Sequence, residues 1–144
     1  TDSQVAAERT TSRPDISGKG TVLVVDDEEV LRRACARLLS KMGYTILTAS
    51  GGREAVELVR EHREHLAFVI LDLTMPEMSG AATFEAIREV APETKVLLSS
   101  GFSAEGEASQ LLARGCKGFI QKPYSLDDLL QAVRTTLEAP LPSA

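Results

Sequence analysis

The stretch TVLVVDDEEV, residues 21–30, decides how the chain folds. Its first five residues, Thr21–Val25, are apolar or β-branched, as is typical of a buried strand. Four acidic residues follow in succession at positions 26–29. Acidic residues can simply form the first turn of a helix, where the helix dipole favours them. Whether they do more depends on which other side chains reach the same end of the sheet.

The composition is that of one ordinary globular domain. The chain has 144 residues, of which 43% are hydrophobic and 26% are charged, with a formal net charge of −5. This net negative charge argues against a surface that binds nucleic acid, because such a surface needs clustered Lys and Arg. The longest apolar run, residues 66–71, is too short to cross a bilayer. Cys35 and Cys116 have no metal-ligand spacing, and we expect reduced thiols in a cytoplasmic protein.

The two ends of the chain differ from its middle. Residues 1–19 are largely polar with Pro and Gly, which predicts a flexible linker, and residues 140–144 predict a flexible tail. Between them, residues 20–139 form the predicted domain, in which five strand-length apolar runs alternate with helical periods. This alternation predicts an α/β fold: a doubly wound, five-stranded parallel sheet with helices on both faces.

Two helices carry more detailed predictions. The first helix is predicted from an apolar stripe of seven residues: Val30, Leu31, Ala34, Cys35, Leu38, Leu39 and Met42. The last helix is predicted to begin with a capping interaction between Ser125 and Asp128, which is three residues further on.

Polar side chains follow several strands at the carboxyl edge of this predicted sheet, where such sheets bind ligands. They are Asp26 and Asp27 after the first strand, Asp72 after the third, Ser99 and Ser100 after the fourth, and Lys122 after the fifth. Two carboxylates about 4 Å apart repel by about 4 kcal/mol at an effective dielectric near 20. A divalent cation removes this repulsion, and oxygen ligands with open positions suit Mg²⁺. The pattern therefore predicts a magnesium site.

Four segments resemble a known family. VLVVDDEE, ILDLTMPEMSG, VLLSSGFS and GFIQKPYSLDDL occur in this order, and together they resemble the receiver domain of two-component signalling over about residues 20–138. The amino-acid sequences of these segments are most similar to receivers at the C-terminus of hybrid sensor histidine kinases. The resemblance implies a flavodoxin-like sheet with strand order 2-1-3-4-5.

The resemblance also implies a phosphorylation site. Asp72 would accept a phosphoryl group from a phosphohistidine, and Asp27 would bind Mg²⁺ through its carboxylate. Asp26 would bind the ion directly or through a water, and the backbone carbonyl of Thr74 would add a further ligand. Lys122 would pair with the phosphoryl group.

Further residues would convert phosphorylation into a change of shape. Ser100 matches the switch hydroxyl and Phe119 the switch aromatic, and the bond before Pro123 is expected to be cis. The readout surface implied by the resemblance is the fourth helix, fifth strand and fifth helix, including Tyr124. We also hypothesise that Phe102, together with Thr74, shields the acyl phosphate from water.

Three functions remain open from the sequence. The first is a switch that is not an enzyme by itself and slowly loses its phosphoryl group. The second is a Mg²⁺-dependent phosphohydrolase of the haloacid-dehalogenase type, although that family has an Asp two residues after its nucleophile and this chain has Thr74. The third is a constitutive protein-binding module.

The resemblance implies protein partners instead of nucleic acid. They are a histidine kinase or an upstream kinase core of the same chain, and a histidine phosphotransfer protein. We expect no direct membrane insertion, although a parent sensor kinase would tether the domain to a membrane.

Overall fold

A computed structural model describes residues 20–73, 75, 78–101, 105–122 and 124–138. The predicted linker (1–19) and tail (140–144) lie outside these residues, as do Thr74, Phe102 and Pro123. In the described part of the chain, strands and helices alternate as follows: β1 (Thr21–Val25), α1 (Glu29–Lys41), β2 (Thr45–Ala49), α2 (Gly52–His62), β3 (Leu66–Asp72), α3 (Gly80–Val90), β4 (Val96–Ser100), α4 (Glu105–Ala113), β5 (Gly118–Gln121) and α5 (Leu126–Glu138).

The strands form one parallel sheet in the order β2-β1-β3-β4-β5. The predicted doubly wound fold and the strand order 2-1-3-4-5 are therefore confirmed. No helix within the described residues is both long enough and apolar enough to cross a membrane.

The sheet separates two layers of core side chains. Alternate residues of a strand point to opposite faces, and in β1 Val22 and Val24 pack with α1 and α5, whereas Leu23 and Val25 pack with α2, α3 and α4. All four are nearly inaccessible to solvent. A slip of one residue would exchange these layers, so burial on both faces fixes the register of β1 and the position of the acidic residues that follow it.

The predicted apolar stripe of α1 is only partly correct. Cys35 and Leu39 are buried, but Val30 is 79% exposed and Ala34 is exposed too. Successive residues of a helix are 100° apart, so Val30 and Ala34 lie one row away from the buried row that contains Cys35. The first turn of α1 therefore presents apolar surface to solvent.

Side-chain caps begin two of the helices. The Ser125 hydroxyl accepts a hydrogen bond from the Asp128 N–H at 3.1 Å, and the Asp128 carboxylate accepts one from the Ser125 N–H at 3.0 Å. This reciprocal pair is the predicted capping box, which is thus confirmed. Ser79 caps α3 by accepting from the Ala82 N–H at 3.1 Å.

The first residue of α2 touches the first turn of α3. A Cβ atom on Gly52 would lie 2.3 Å from the Thr83 hydroxyl oxygen and 2.8 Å from the Met78 sulfur. Thr83 is fully buried, and its hydroxyl donates to the Ser79 carbonyl at 2.9 Å, so it has little room to move. Gly52 is therefore required by a close approach of two helices beside the carboxyl edge of the sheet.

Replacing Gly52 by alanine should destabilise the domain. The added methyl group forces Thr83 or the helices apart, and overpacking of this kind costs about 1–3 kcal/mol. The neighbouring Gly51→Ala is the matched control, because a Cβ there meets no atom within 4 Å. Urea denaturation should give a lower unfolding free energy for Gly52→Ala and a change within about 0.5 kcal/mol for Gly51→Ala. Equal stabilities would contradict the close contact.

Candidate functional site

Two neighbouring strands place acidic residues side by side at the carboxyl edge. Val25 of β1 is paired with Leu71 of β3, so the next residues along the two strands, Asp26 and Asp72, lie together where β1 ends. Asp27 follows in the loop to α1. Carboxylate oxygens of Asp26, Asp27 and Asp72 all lie within 4.8 Å of one another.

The three carboxylates differ in exposure. Asp72 is 1% exposed and Asp26 is 6% exposed, whereas Asp27 is open to solvent. A cleft of about 650 Å³ lies beside Asp27, between the start of α2 and Met75 and Met78. A ligand from solvent can therefore approach the carboxylates from the side of Asp27.

Three groups hold Asp26 in place. Its carboxylate accepts a hydrogen bond from the Glu28 N–H at 2.9 Å and another from the Lys122 ammonium at 2.9 Å. The Arg32 guanidinium donates to the backbone carbonyl of Asp26, also at 2.9 Å. Side chain and main chain are thus both fixed, which limits the conformations open to Asp26.

Lys122 lies between the two buried carboxylates. Its ammonium is 2.9 Å from an Asp26 oxygen and 3.4 Å from an Asp72 oxygen, and its backbone N–H donates to the Ser100 carbonyl at 2.8 Å. Burial by itself would lower the pKa of Lys122, but the hydrogen bond and charge of Asp26, with those of Asp72, outweigh burial and raise it. The side chain is therefore a fixed cation at neutral pH.

The charges at this edge suit a divalent cation. Three carboxylates lie within 4.8 Å of one another, and the Lys122 ammonium contacts two of them, those of Asp26 and Asp72. Oxygen ligands of this kind, one of them exposed, match the preference of Mg²⁺ for carboxylates combined with water.

The residues expected to act as a switch lie on β4 and β5. Ser100 is fully buried, and its hydroxyl donates to the Gly101 carbonyl at 3.2 Å. Ser99 is paired with Asp72 across the sheet. Phe119 is half-buried and packs against the core layer that contains Leu111 of α4. The expected positions of Thr74, Phe102 and Pro123 lie outside the described residues.

Tyr124, which the resemblance includes in the readout surface, follows β5, and its part in the readout stays a prediction. It is half-buried and packs against the layer between the sheet and α1 and α5. That layer also contains Cys35 and Leu39 of α1. The contact of Arg32 with Asp26 was missed in the sequence, because an arginine within a helix carries no signal that distinguishes it from other surface residues.

Comparisons with known proteins agree on one family. The family model described as "Response regulator receiver domain" matches residues 22–134. A protein named sensor kinase CckA from Brucella abortus is 36% identical over 139 residues, which is 95% of this chain but 15% of that protein. The chemotaxis protein CheY of Bacillus subtilis is 32% identical over 81% of this chain and 96% of its own length.

A solved structure shows the same fold. The crystal structure of a CheX-CheY-BeF3-Mg²⁺ complex from Borrelia burgdorferi superposes with a TM-score of 0.76 at 32% identity. The match covers 81% of this chain and 87% of that one.

The two thiols should make the domain less stable in alkali. Burial raises the pKa of Cys35 and of Cys116 from 9.0 to about 11. A raised pKa in the folded state adds stability that is fully present below pH 9 and is lost as pH rises from 9 to about 11. Above pH 10, Tyr44, Tyr124 and Lys122 act in the same direction, because their pKa values are raised as well.

Urea denaturation at pH 8, 9 and 10 measures this effect. The unfolding free energy should fall between pH 9 and 10, by roughly 1 kcal/mol for each thiol. In the double variant Cys35→Ala, Cys116→Ala, the profile over this range should be flatter, although the absolute stability is lower. An equally steep fall in the double variant would assign the effect to other groups.

Proposed function

The chain belongs to the response regulator receiver domain family of two-component signalling, and we propose that it is a phosphorylation-dependent switch whose phosphoacceptor is Asp72. The carboxylate of Asp72 is almost fully buried, lies within 4.8 Å of two other carboxylates and has the Lys122 ammonium 3.4 Å away. This arrangement is the observation that carries the proposal. The proposed domain spans residues 20–139, with 1–19 as linker and 140–144 as tail, and the match at residues 22–134 supports it.

The proposed reaction is transfer of a phosphoryl group from a phosphohistidine. An oxygen of Asp72 attacks phosphorus as the bond from phosphorus to the imidazole nitrogen breaks. The electron pair of that bond stays on the nitrogen, and the product is an acyl phosphate. Because the transition state is loose, the protein mainly positions the reactants and balances their charge. Lys122, already beside Asp72, stabilises the negative charge on the phosphoryl oxygens.

Mg²⁺ is the proposed cofactor. Asp26, Asp27, Asp72 and the backbone carbonyl of Thr74 would hold it, and when bound it would neutralise charge on the carboxylates and on the phosphoryl group. The donor set supports this assignment, because three carboxylates lie together and a single ammonium contacts two of them. So does the Mg²⁺ in the complex of the Borrelia burgdorferi relative.

The proposed output is a shift between two arrangements of the loop after β4. The Ser100 hydroxyl, which donates to Gly101 in this state, would turn to the new phosphoryl oxygen, and Phe119 would move into the space that opens beside α4. Such a change is a population shift biased by the new charge. The face formed by α4, β5 and α5 would carry the signal, and slow hydrolysis of the acyl phosphate would reset it. A cis bond before Pro123 remains a prediction.

The proposed phosphodonor is a histidine kinase, its phosphotransfer partner, or a kinase core in the same chain. Exposed apolar side chains on α1 and α5 support docking of a protein: Val30 is 79% exposed, and Leu126 and Leu130 are 45% and 38% exposed. The similarity to a small part of a sensor kinase supports a hybrid kinase as the parent chain. In that case the domain works in the cytoplasm, tethered through its parent.

Mass spectrometry tests the phosphoacceptor directly. After treatment with phosphoramidate and Mg²⁺, the parent should gain about 80 Da, Asp72→Asn should gain nothing, and the exposed Asp127→Asn should behave as the parent. Rapid release of many equivalents of phosphate by the parent would indicate a phosphohydrolase instead. An unlabelled parent would indicate a constitutive binding module.

Calorimetric titration with Mg²⁺ should separate the roles of Asp27 and Lys122. Asp27→Asn removes a ligand and should weaken binding by about tenfold or more. Lys122→Met should strengthen binding, because the ammonium that competes for Asp26 is gone, yet phosphorylation should slow. Asp127→Asn is again the control. Parallel effects of the two changes on Mg²⁺ affinity would contradict the proposed arrangement.

The shielding role of Phe102 is tested by dephosphorylation. Phe102→Ala should shorten the half-life of the phosphorylated domain, because water would reach the acyl phosphate more readily. The decay of the phosphorylated mass after removal of the phosphodonor measures it. An unchanged half-life would show that Phe102 does not shield the acyl phosphate from water.

A further inference from the structure

A groove of about 700 Å³ lies between helix α1 and strand β2. Strand β2 is at one edge of the sheet, because within the described residues it is paired only with β1. Arg32, Arg33 and Arg37 line the groove from α1, and Ile46 and Thr48 line it from β2. A basic side of a helix therefore lies beside an open edge of the sheet, and this edge is the one opposite β5.

The main chain of β2 presents hydrogen-bonding groups at this open edge. The Thr45 N–H donates to the Gly20 carbonyl at 3.0 Å, so the backbone groups of Thr45 point toward β1. Backbone groups of successive residues in a strand alternate in direction, and those of Ile46 and Thr48 therefore point away from β1. In the part of the chain that the structure describes, no strand pairs with this side of β2. An edge of this kind can pair with another extended chain.

A row of positive charges runs along α1 beside the groove. Arg33, Arg37 and Lys41 are spaced four residues apart and are all exposed, so they share one side of the helix. Arg33 forms an ion pair with Glu29 at 2.6 Å, but the two side chains are 74% and 59% exposed, and such a pair contributes little. The chain as a whole has a net charge of −5. The row is therefore a local concentration of positive charge that carboxylates of a ligand can reach.

We propose that this groove binds an extended acidic segment of a partner protein. The segment adds a strand to the sheet by bonding to the outward backbone groups of Ile46 and Thr48. Alternate side chains of the added strand point toward α1, and they repeat every ~6.7 Å. Residues four apart on a helix repeat every ~6 Å, so Glu or Asp at alternate positions of the segment can each meet a cation of the row. This binding does not depend on phosphorylation of Asp72.

Charge disfavours the other occupants of this edge. Two copies of the chain that paired through β2 would be related by a twofold axis, which would bring the two basic rows onto the same side of the joined sheet, where they repel. The segment 1–19 of this chain carries three acidic and three basic residues, so it has no excess of carboxylates. An acidic segment from a different protein is the occupant that the charge of the groove favours.

Fluorescence anisotropy with a short dye-labelled peptide, in which Glu alternates with Val or Thr, tests the charge recognition. The parent should bind the peptide, and the affinity should fall as the salt concentration rises. Arg37→Glu should weaken binding by roughly 3- to 10-fold, because it replaces an attraction by a repulsion. Arg134→Glu is the matched control, since Arg134 is exposed on α5 and undergoes the same change of charge. It should bind as the parent does.

Amide hydrogen exchange locates the peptide on the sheet. The N–H groups of Ile46 and Thr48 should exchange more slowly when the peptide is bound, whereas that of Thr45, already bonded to the Gly20 carbonyl, should not change. A peptide with the same side chains, N-methylated at alternate residues on the edge that faces β2, should bind about tenfold more weakly or worse, because it cannot form the ladder.

Several outcomes would overturn the proposal. A parent that does not bind the acidic peptide, or that binds a peptide with Lys in place of Glu equally well, would exclude recognition of carboxylates. Equally tight binding of the N-methylated peptide would exclude strand addition. Equally tight binding of oligothymidylate would indicate a site for any polyanion, and a dimer in sedimentation that the peptide does not dissociate would indicate that a second copy occupies the edge.

Discussion

Mutual repulsion of carboxylates at the end of the sheet is the constraint on which the rest of this structure depends. Asp26 and Asp72 are nearly buried, and like charges about 4 Å apart repel by about 4 kcal/mol at an effective dielectric near 20. That is a large part of the 5–15 kcal/mol by which a typical domain is stable. The repulsion is tolerated because Lys122 bridges the two carboxylates and the Glu28 N–H binds one of them.

Burial on both faces of the central strands keeps these charges from moving apart. A shift of the inner strands β1 and β3 by one residue would move their buried apolar side chains from one core layer to the other. The charged residues therefore occupy fixed positions at the strand ends, and the cost of holding them together is met by the packing of the whole sheet. Asp26 and Asp72 therefore cannot relieve a change of charge at this place by moving their strands apart.

Much of this arrangement could be predicted because it depends on short patterns. The apolar runs predicted the strands, and Asp26, Asp27, Asp72 and Lys122 were found because each lies at or just after the end of a strand at the same edge. Exposure along α1 was harder to predict, since the apolar Val30 lies next to a buried row and only the packing shows which row faces the sheet. The contact of Arg32 with the Asp26 carbonyl depends on how α1 packs beside the end of β1, and no local pattern encodes it.

The alternation of side chains along β5 has a broader consequence. Phe119 packs into one core layer and the next residue, Ile120, packs into the other. The sheet therefore separates two core layers, each covered by helices. A displacement of β5 would disturb the packing of both layers. Helices α2, α3 and α4 on one side and α1 and α5 on the other therefore both depend on where β5 lies.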